Sequence, residues 1–236
     1  MNVELPARAT ERRFFLAGAL AFALFAFIGF ARTYYLKGIF GTPALGDLVH
    51  LHGVVMTLWV VLFVAQVSLV AANRRDIHCK LGVFGALLAA AVVVVGSATA
   101  IASARHGLSP DGMPPLVFLV IPLGTVAVFA VLVAAALALR KRSDYHKRLM
   151  LLASLSIVTP AIARFLAVNF EVTAPPVFLG LTVLLMVVFV AWDTAKHRRL
   201  HPAFGWGLAF FVLSLPLRIA LAKTPAWMQF AAWMTS

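Results

Sequence analysis

Seven apolar runs, each about 18 residues or longer, dominate this chain, and that is the length at which a helix crosses roughly 30 Å of hydrocarbon. They lie near 13–31, 48–72, 80–104, 114–139, 147–168, 175–193 and 204–223. In lipid every backbone N–H and carbonyl must be satisfied within the protein, which leaves helices or closed barrels. These runs lack the alternation of a barrel strand. The expected fold is therefore all-α, a single transmembrane domain over residues 1–236 built as an integral membrane bundle of seven helices. Composition agrees: 63% of residues are hydrophobic, only 12% are charged and the mean hydropathy is +0.98, whereas a soluble domain is about a quarter charged.

The net charge of +12 invites a nucleic-acid reading, but its distribution supplies another cause. Fourteen Lys and Arg residues fall in the N-terminal tail and the second, fourth and sixth loops, against four (Arg32, Lys37, Arg105 and Lys223) on the alternate side. That asymmetry predicts a cytoplasmic N-terminus and an external C-terminus. The lipid bilayer, and not nucleic acid, is the expected partner, with a bacterial inner membrane the expected location. Arg12 and Arg13 before the first run resemble the start of a signal peptide. No small-residue cleavage site leads into a soluble domain, so the run is read as the first span. Past the last span, residues 225–236 carry Trp227, Phe230 and Met234 at helical spacing with Trp233 beside them, the pattern of an interfacial segment.

Several chemistries are excluded by missing residues. Cys79 is the only cysteine and no Cys-x-x-Cys-His sequence occurs, so there is no disulfide framework and no covalent c-type haem attachment. Phosphate-loop, zinc-helix and nucleophile-elbow motifs are absent, as is a lysine within a helix core that could form a retinal-type Schiff base. A complete nucleophile and base set is not visible.

The polar residues that remain fall into two groups. Asp47, His50 and His52 open the second span, where ionisable groups are costly unless something binds them. Asp47 is three residues from His50 and can reach its ring, whereas His52 lies about 200° round the helix from His50, with Trp59 continuing its face. Arg164 and Arg218 fall in the outer half of the fifth and seventh spans, and each is expected to find an anion: Asp47, Glu171 or a bound carboxylate. Together Asp47, His50, His52, Trp59, Arg164 and Arg218 form the expected outward-facing ligand pocket. The plainer alternative has the histidines bonding headgroups and Arg164 snorkelling.

The second group repeats. Asp76-Ile77-His78-Cys79-Lys80-Leu81, Asp144-Tyr145-His146-Lys147-Arg148-Leu149 and His197-Arg198-Arg199-Leu200 all precede or open odd-numbered spans. One reading is three helix hairpins, spans 2–3, 4–5 and 6–7, after a lone first helix. His78, His146 and His197 then share one side, where they can converge on a metal or, in pairs, on a haem iron. The competing reading makes Asp76 and Asp144 N-caps and the basic residues topological signals. His106 and His201 are expected to be solvated loop residues. Pro122, Pro160 and Pro216 fall inside spans and are expected to kink them.

Three stretches carry a resemblance: Leu48–Gln66, the Arg-x-x-His-x-Lys-Leu-Gly run from Arg75 to Gly82, and His-x-Arg-Leu-Met from His146 to Met150. Over spans two to five the chain resembles an uncharacterised group of bacterial inner-membrane proteins and, more distantly, the cytochrome b561-like haem membrane families. That resemblance implies b-type haem held by histidines near helix ends. No other span has a histidine at the depth of His50 or His52, which speaks against two haems and leaves a single haem, on His78 and His146, or no haem at all. The functional expectation is a protein that binds haem b or a redox metal for electron transfer or respiratory-complex support, alongside a membrane redox partner. The alternatives are a small-molecule or proton-linked carrier or sensor using the outward pocket, and a purely structural subunit.

Overall fold

A computed structural model describes residues 6–110 and 112–236, with side chains from Thr10 onward. Arg8, counted above among the basic residues, falls outside the described side chains. The described residues are helical and contain no strand. Helix α1 (Pro6–Phe30) runs on into a π-helical turn, Ala31–Tyr35, and is followed by α2 (Asp47–Ala71) and α3 (Arg75–Arg105). The fourth span is α4 (Pro115–Phe118) joined to α5 (Val120–Ala138), and the fifth is α6 (Ser143–Ser156) joined to α7 (Thr159–Phe170). Then come α8 (Pro175–His197), α9 (Pro202–Ala222) and α10 (Pro225–Thr235). Among the described residues seven helical stretches are long and apolar enough to cross a membrane, as the sequence predicts.

Proline explains both interruptions. A proline has no N–H to give the carbonyl four residues earlier and its ring crowds that carbonyl. For Pro122 that position is Phe118, where α4 ends; for Pro160 it is Ser156, where α6 ends. Pro216 stays inside a continuous α9. The capping expectation needs correction. Arg74 and Arg142 occupy the N-cap positions of α3 and α6 without a side-chain cap bond, while Asp76 and Asp144 lie in the first turn. There their charge still complements the positive end of the helix dipole.

The broken fifth span is the centre of the bundle. Of its apolar stretch 61% is buried within the protein, against 39% or less for every other span. Leu151, Leu152, Ala153 and Leu155 are fully enclosed, with Phe129, Phe204, Phe211 and Met186 among the largest side chains around them. Small residues allow close approach, as expected where lipid supplies no hydrophobic drive between helices. A Cβ at Gly29 would stand 2.4 Å from the Ala161 carbonyl oxygen, and one at Gly207 would stand 2.5 Å from Leu152 Cδ1. The first two expected hairpins, α2 with α3 and α5 with α6, pack along their length, but α9 lies mainly on α5 and α6 and only lightly on α8. The third hairpin therefore departs from the repeat.

The two ends differ. One, here the basic end, gathers the start of α1, the α2–α3 turn, the start of α6 and the α8–α9 turn. Arg12 donates to the Ala71 carbonyl at 3.1 Å and to Asn73 Oδ1 at 2.6 Å. At the opposite end Arg105 donates to the Met234, Thr235 and Ser236 carbonyls, tying α10 to α3. Trp227 of α10 turns inward and gives its indole N–H to the Leu116 carbonyl at 2.9 Å, while Phe230 and Trp233 stay exposed.

Candidate functional site

At the basic end Arg148 is buried, 3% exposed. Its Nε donates to Asp193 Oδ2 at 3.0 Å and its Nη2 to Oδ1 at 2.7 Å, while Nη1 donates to the Asp144 carbonyl at 3.0 Å. This is the two-pronged match of guanidinium to carboxylate. Asp193 is fully buried, and its backbone carbonyl also accepts from His197 Nδ1 at 2.8 Å. Lys147 bonds Glu11 of α1, whose carboxylate lies 3.7 Å from Arg148 Nη2. A pocket of about 280 Å³ opens over this network, between Glu11, Asp144, Lys147 and the α8–α9 turn.

His201 is not the solvated residue expected. Its Nδ1 accepts the Ala203 N–H at 3.2 Å, capping α9, and its Nε2 lies 3.3 Å from Asp144 Oδ2. An imidazole that accepts at Nδ1 carries its proton on Nε2. Burial and then the Arg148 charge push His201 below the ordinary histidine range, against the pull of Asp144.

Of the three histidines expected to converge, two meet. The rings of His78 (α3) and His146 (α6) have centroids 6.3 Å apart and are nearly perpendicular. His146 Nδ1 lies 2.8 Å from the Ala136 carbonyl; only a protonated Nδ1 bonds there, which leaves the Nε2 lone pair uncommitted. His78 is held from α2. In the amide orientation that satisfies both ends, Gln66 donates to His78 Nδ1 at 2.8 Å and to the His78 carbonyl at 3.2 Å, and accepts the Gly82 N–H at 3.1 Å. His197 belongs instead to the Asp193 network. Among the described residues no three His, Cys, Asp or Glu side chains are grouped to hold a metal ion.

The outward set does not assemble into one pocket. Asp47 is exposed, and His50 is met by Tyr34, not Asp47: the phenol oxygen is 3.4 Å from His50 Nδ1 and donates to the His50 carbonyl at 3.3 Å. Tyr34 reaches α2 because the π turn swings it there, over Gly53, where a Cβ would sit 2.3 Å from the ring. Tyr35 bonds Thr57 at 3.0 Å from the same turn. Arg164 and Glu171 are exposed. His52 and Trp59 face inward towards α3 and α5. His52 Cε1 comes within 4.0 Å of a Cβ built on Gly96, Trp59 packs edge-on to Phe129, and His52 Nδ1 and Trp59 Nε1 are buried without a hydrogen-bond partner.

Arg218 is 6% exposed, and the anion expected beside it is not among its partners. Nη1 donates to Thr125 Oγ1 at 3.0 Å and Nη2 to the Gly124 carbonyl and Ser214 Oγ, both at 3.0 Å. Nε has no acceptor. The cage depends on Gly124, where a Cβ would fall 2.5 Å from Arg218 Nε.

Sequence reasoning passed over Glu11, Gln66, Tyr34, Arg148 and Asp193. Asp193 did carry a signal, as a carboxylate closing an apolar span requires a cation. Compared with known proteins, the chain matches no family model, no curated protein and no solved structure.

Proposed function

We propose that this chain is a multi-pass membrane protein that moves electrons, using His78 and His146 as the paired ligands of a b-type haem or a redox-active metal. The observation that carries the reading is the meeting of two imidazoles from different helices, each with its Nδ1 engaged by a neighbour. A ligating histidine donates its other ring N–H to an acceptor; His146 does so to the Ala136 carbonyl, whereas His78 accepts at Nδ1 and carries its proton on Nε2.

His78 and His146, with ring centres 6.3 Å apart, would hold the group between α3 and α6. Two imidazoles with no third protein ligand beside them among the described residues would suit a haem better than a tetrahedral metal site. Such a group would supply one-electron chemistry. The chain's own residues would set its orientation: the Ala136 carbonyl holds the His146 Nδ1 proton and leaves Nε2 for the group, while His78 would have to move its proton to Nδ1 and the Gln66 amide would have to turn to accept it, giving up its bonds to the His78 carbonyl and the Gly82 N–H. The basic end would lie in the cytoplasm of a bacterium, with the electron partner in the same membrane.

The test is a visible spectrum of detergent-purified, dithionite-reduced protein with metal analysis. A Soret band or stoichiometric copper or iron is expected, lost in His146→Ala and weakened in Gln66→Leu. Protein carrying neither, after expression with haem precursor and metal supplied, would sink the reading.

A further inference from the structure

The pocket of about 280 Å³ at the basic end is walled by ionisable side chains from α1, α6, α8 and the α8–α9 turn. Most of their charge is matched within the protein. Lys147 is bonded to Glu11, and Arg148 to the buried Asp193. Two opposite charges are left over on the same walls. Arg199 has no hydrogen-bond or ion-pair partner among the described residues, and Asp144, whose side chain is 52% exposed, meets no Lys or Arg side chain and only Nε2 of His201. The His201 ring titrates below its ordinary range, so at neutral pH it gives Asp144 a hydrogen bond and no charge.

Hydrogen-bonding capacity is left over with both signs as well. Lys147 keeps N–H groups beyond the one it gives Glu11, and Arg199 keeps its whole guanidinium. On the acceptor side, His197 gives its Nδ1 proton to the Asp193 carbonyl, so its Nε2 carries a bare lone pair, and Asp144 adds a carboxylate. An anion placed here would be drawn by Arg199 and opposed by Asp144, and a cation would meet the reverse, since like charges brought together in a site are costly. A net-neutral ligand carrying both charges answers both. The lone pairs on the acceptor side call for N–H groups, so its cation is a primary ammonium and not a quaternary one.

Depth decides which zwitterion reaches the pocket. Three residues along α1 from Glu11, Phe14 stacks on Trp192 of α8, with ring centroids 4.1 Å apart and planes at 7°. Trp192, next to Asp193 in the chain, is 39% exposed, and an exposed tryptophan near the end of a span marks the headgroup layer. From this depth and the two unmatched charges we propose that the pocket seats the headgroup of a phosphatidylethanolamine-type lipid, with the phosphodiester on Arg199 and Lys147 and the ammonium on Asp144 and His197 Nε2. Basic pockets between spans bind anionic lipid headgroups; here the Asp144 carboxylate turns the preference to a zwitterion. The proposal is independent of the redox reading, since neither His78 nor His146 lines the pocket.

The experiment is thermal unfolding of the full chain in detergent, with phosphatidylethanolamine, phosphatidylcholine or phosphatidylglycerol of the same acyl chains added in turn. Phosphatidylethanolamine is expected to give a saturable rise about 2–4 °C larger than either of the others. Asp144→Asn should erase the difference between the ethanolamine and choline lipids, and Arg199→Gln should weaken the binding of both. Native mass spectrometry of the unaltered protein, which counts the lipid retained, is a second readout should a variant not fold. Soluble glycerophosphoethanolamine separates a lipid from a free zwitterion, and a rise equal to that given by the lipid would overturn the lipid assignment. Equal rises with all three lipids, no preferential retention of phosphatidylethanolamine, or an undiminished ethanolamine advantage in folded Asp144→Asn would each overturn the proposal.

Discussion

Arg148 and Arg218 are both almost wholly enclosed, yet the protein houses them in opposite ways. Arg148, at the basic end, meets a carboxylate that is itself buried, so the pair is neutral and each charge is desolvated against the other. Arg218 is wrapped by two hydroxyls and two carbonyls, dipoles that solvate a cation without cancelling it. The first arrangement fails when one partner is removed, because the survivor is left as an uncompensated charge. In the second, several weaker contacts share the task and a positive charge remains. The basic end is thus locked by charge pairing, while the opposite end keeps a net field.

The sharpest way to break this comparison is Asp193→Ala. It should cost about 3–5 kcal/mol, since Arg148 would lose both prongs of its partner. Replacing the pair together, Arg148→Met with Asp193→Leu, should recover most of that loss, as read by thermal or denaturant unfolding in detergent. Recovery would show that the pairing, and not the volume, is what matters there. At Arg218 no single change should be as damaging. Thr125→Val removes one hydrogen bond to a charged group and should cost about 1.5–3 kcal/mol in the same assay. A loss as large as that of Asp193→Ala would mean the cage is not shared among its members.

The smallest expected effect is a pH dependence at the basic end. His201 titrates lower in the folded chain than its ordinary value of about 6.5. Its contribution is therefore complete above that value and is lost as the pH falls below it, because the unfolded chain takes up the proton first. His201→Asn keeps an acceptor for the Ala203 N–H and should flatten the fall in unfolding temperature below about pH 6.5. An unchanged slope would assign the titration to another group.

What could be read from the residues divides along the same line. Span number and length follow from apolar runs, which report depth in a membrane well, and Pro122 and Pro160 mark where two spans are interrupted. Partner choice depends on azimuth and on which helices become neighbours, and a run of Leu, Val and Ala leaves both open. Arg148 and Glu11 were therefore indistinguishable from ordinary loop charges, and Asp193 from a span boundary. The pairing of His78 with His146 was visible as a shared side and a repeated motif. Their Gln66 support was not, because it comes from the far end of α2. Asp47 looked like the natural partner of His50 at a spacing of three, but the contact went to Tyr34, delivered by a π turn that regular periodicity does not reveal.

That turn acts as a phase shifter. Ahead of it, Gly29 is in register with the fifth span at Ala161; at its end, Tyr34 and Tyr35 are in register with the second span at Gly53 and Thr57. Widening from α to π geometry lets a single helix serve two neighbours that a constant pitch would not bring to these faces. Removing one residue between Ala31 and Tyr35 would turn everything downstream by about 100°, cutting the coupling to one neighbour while sparing the other.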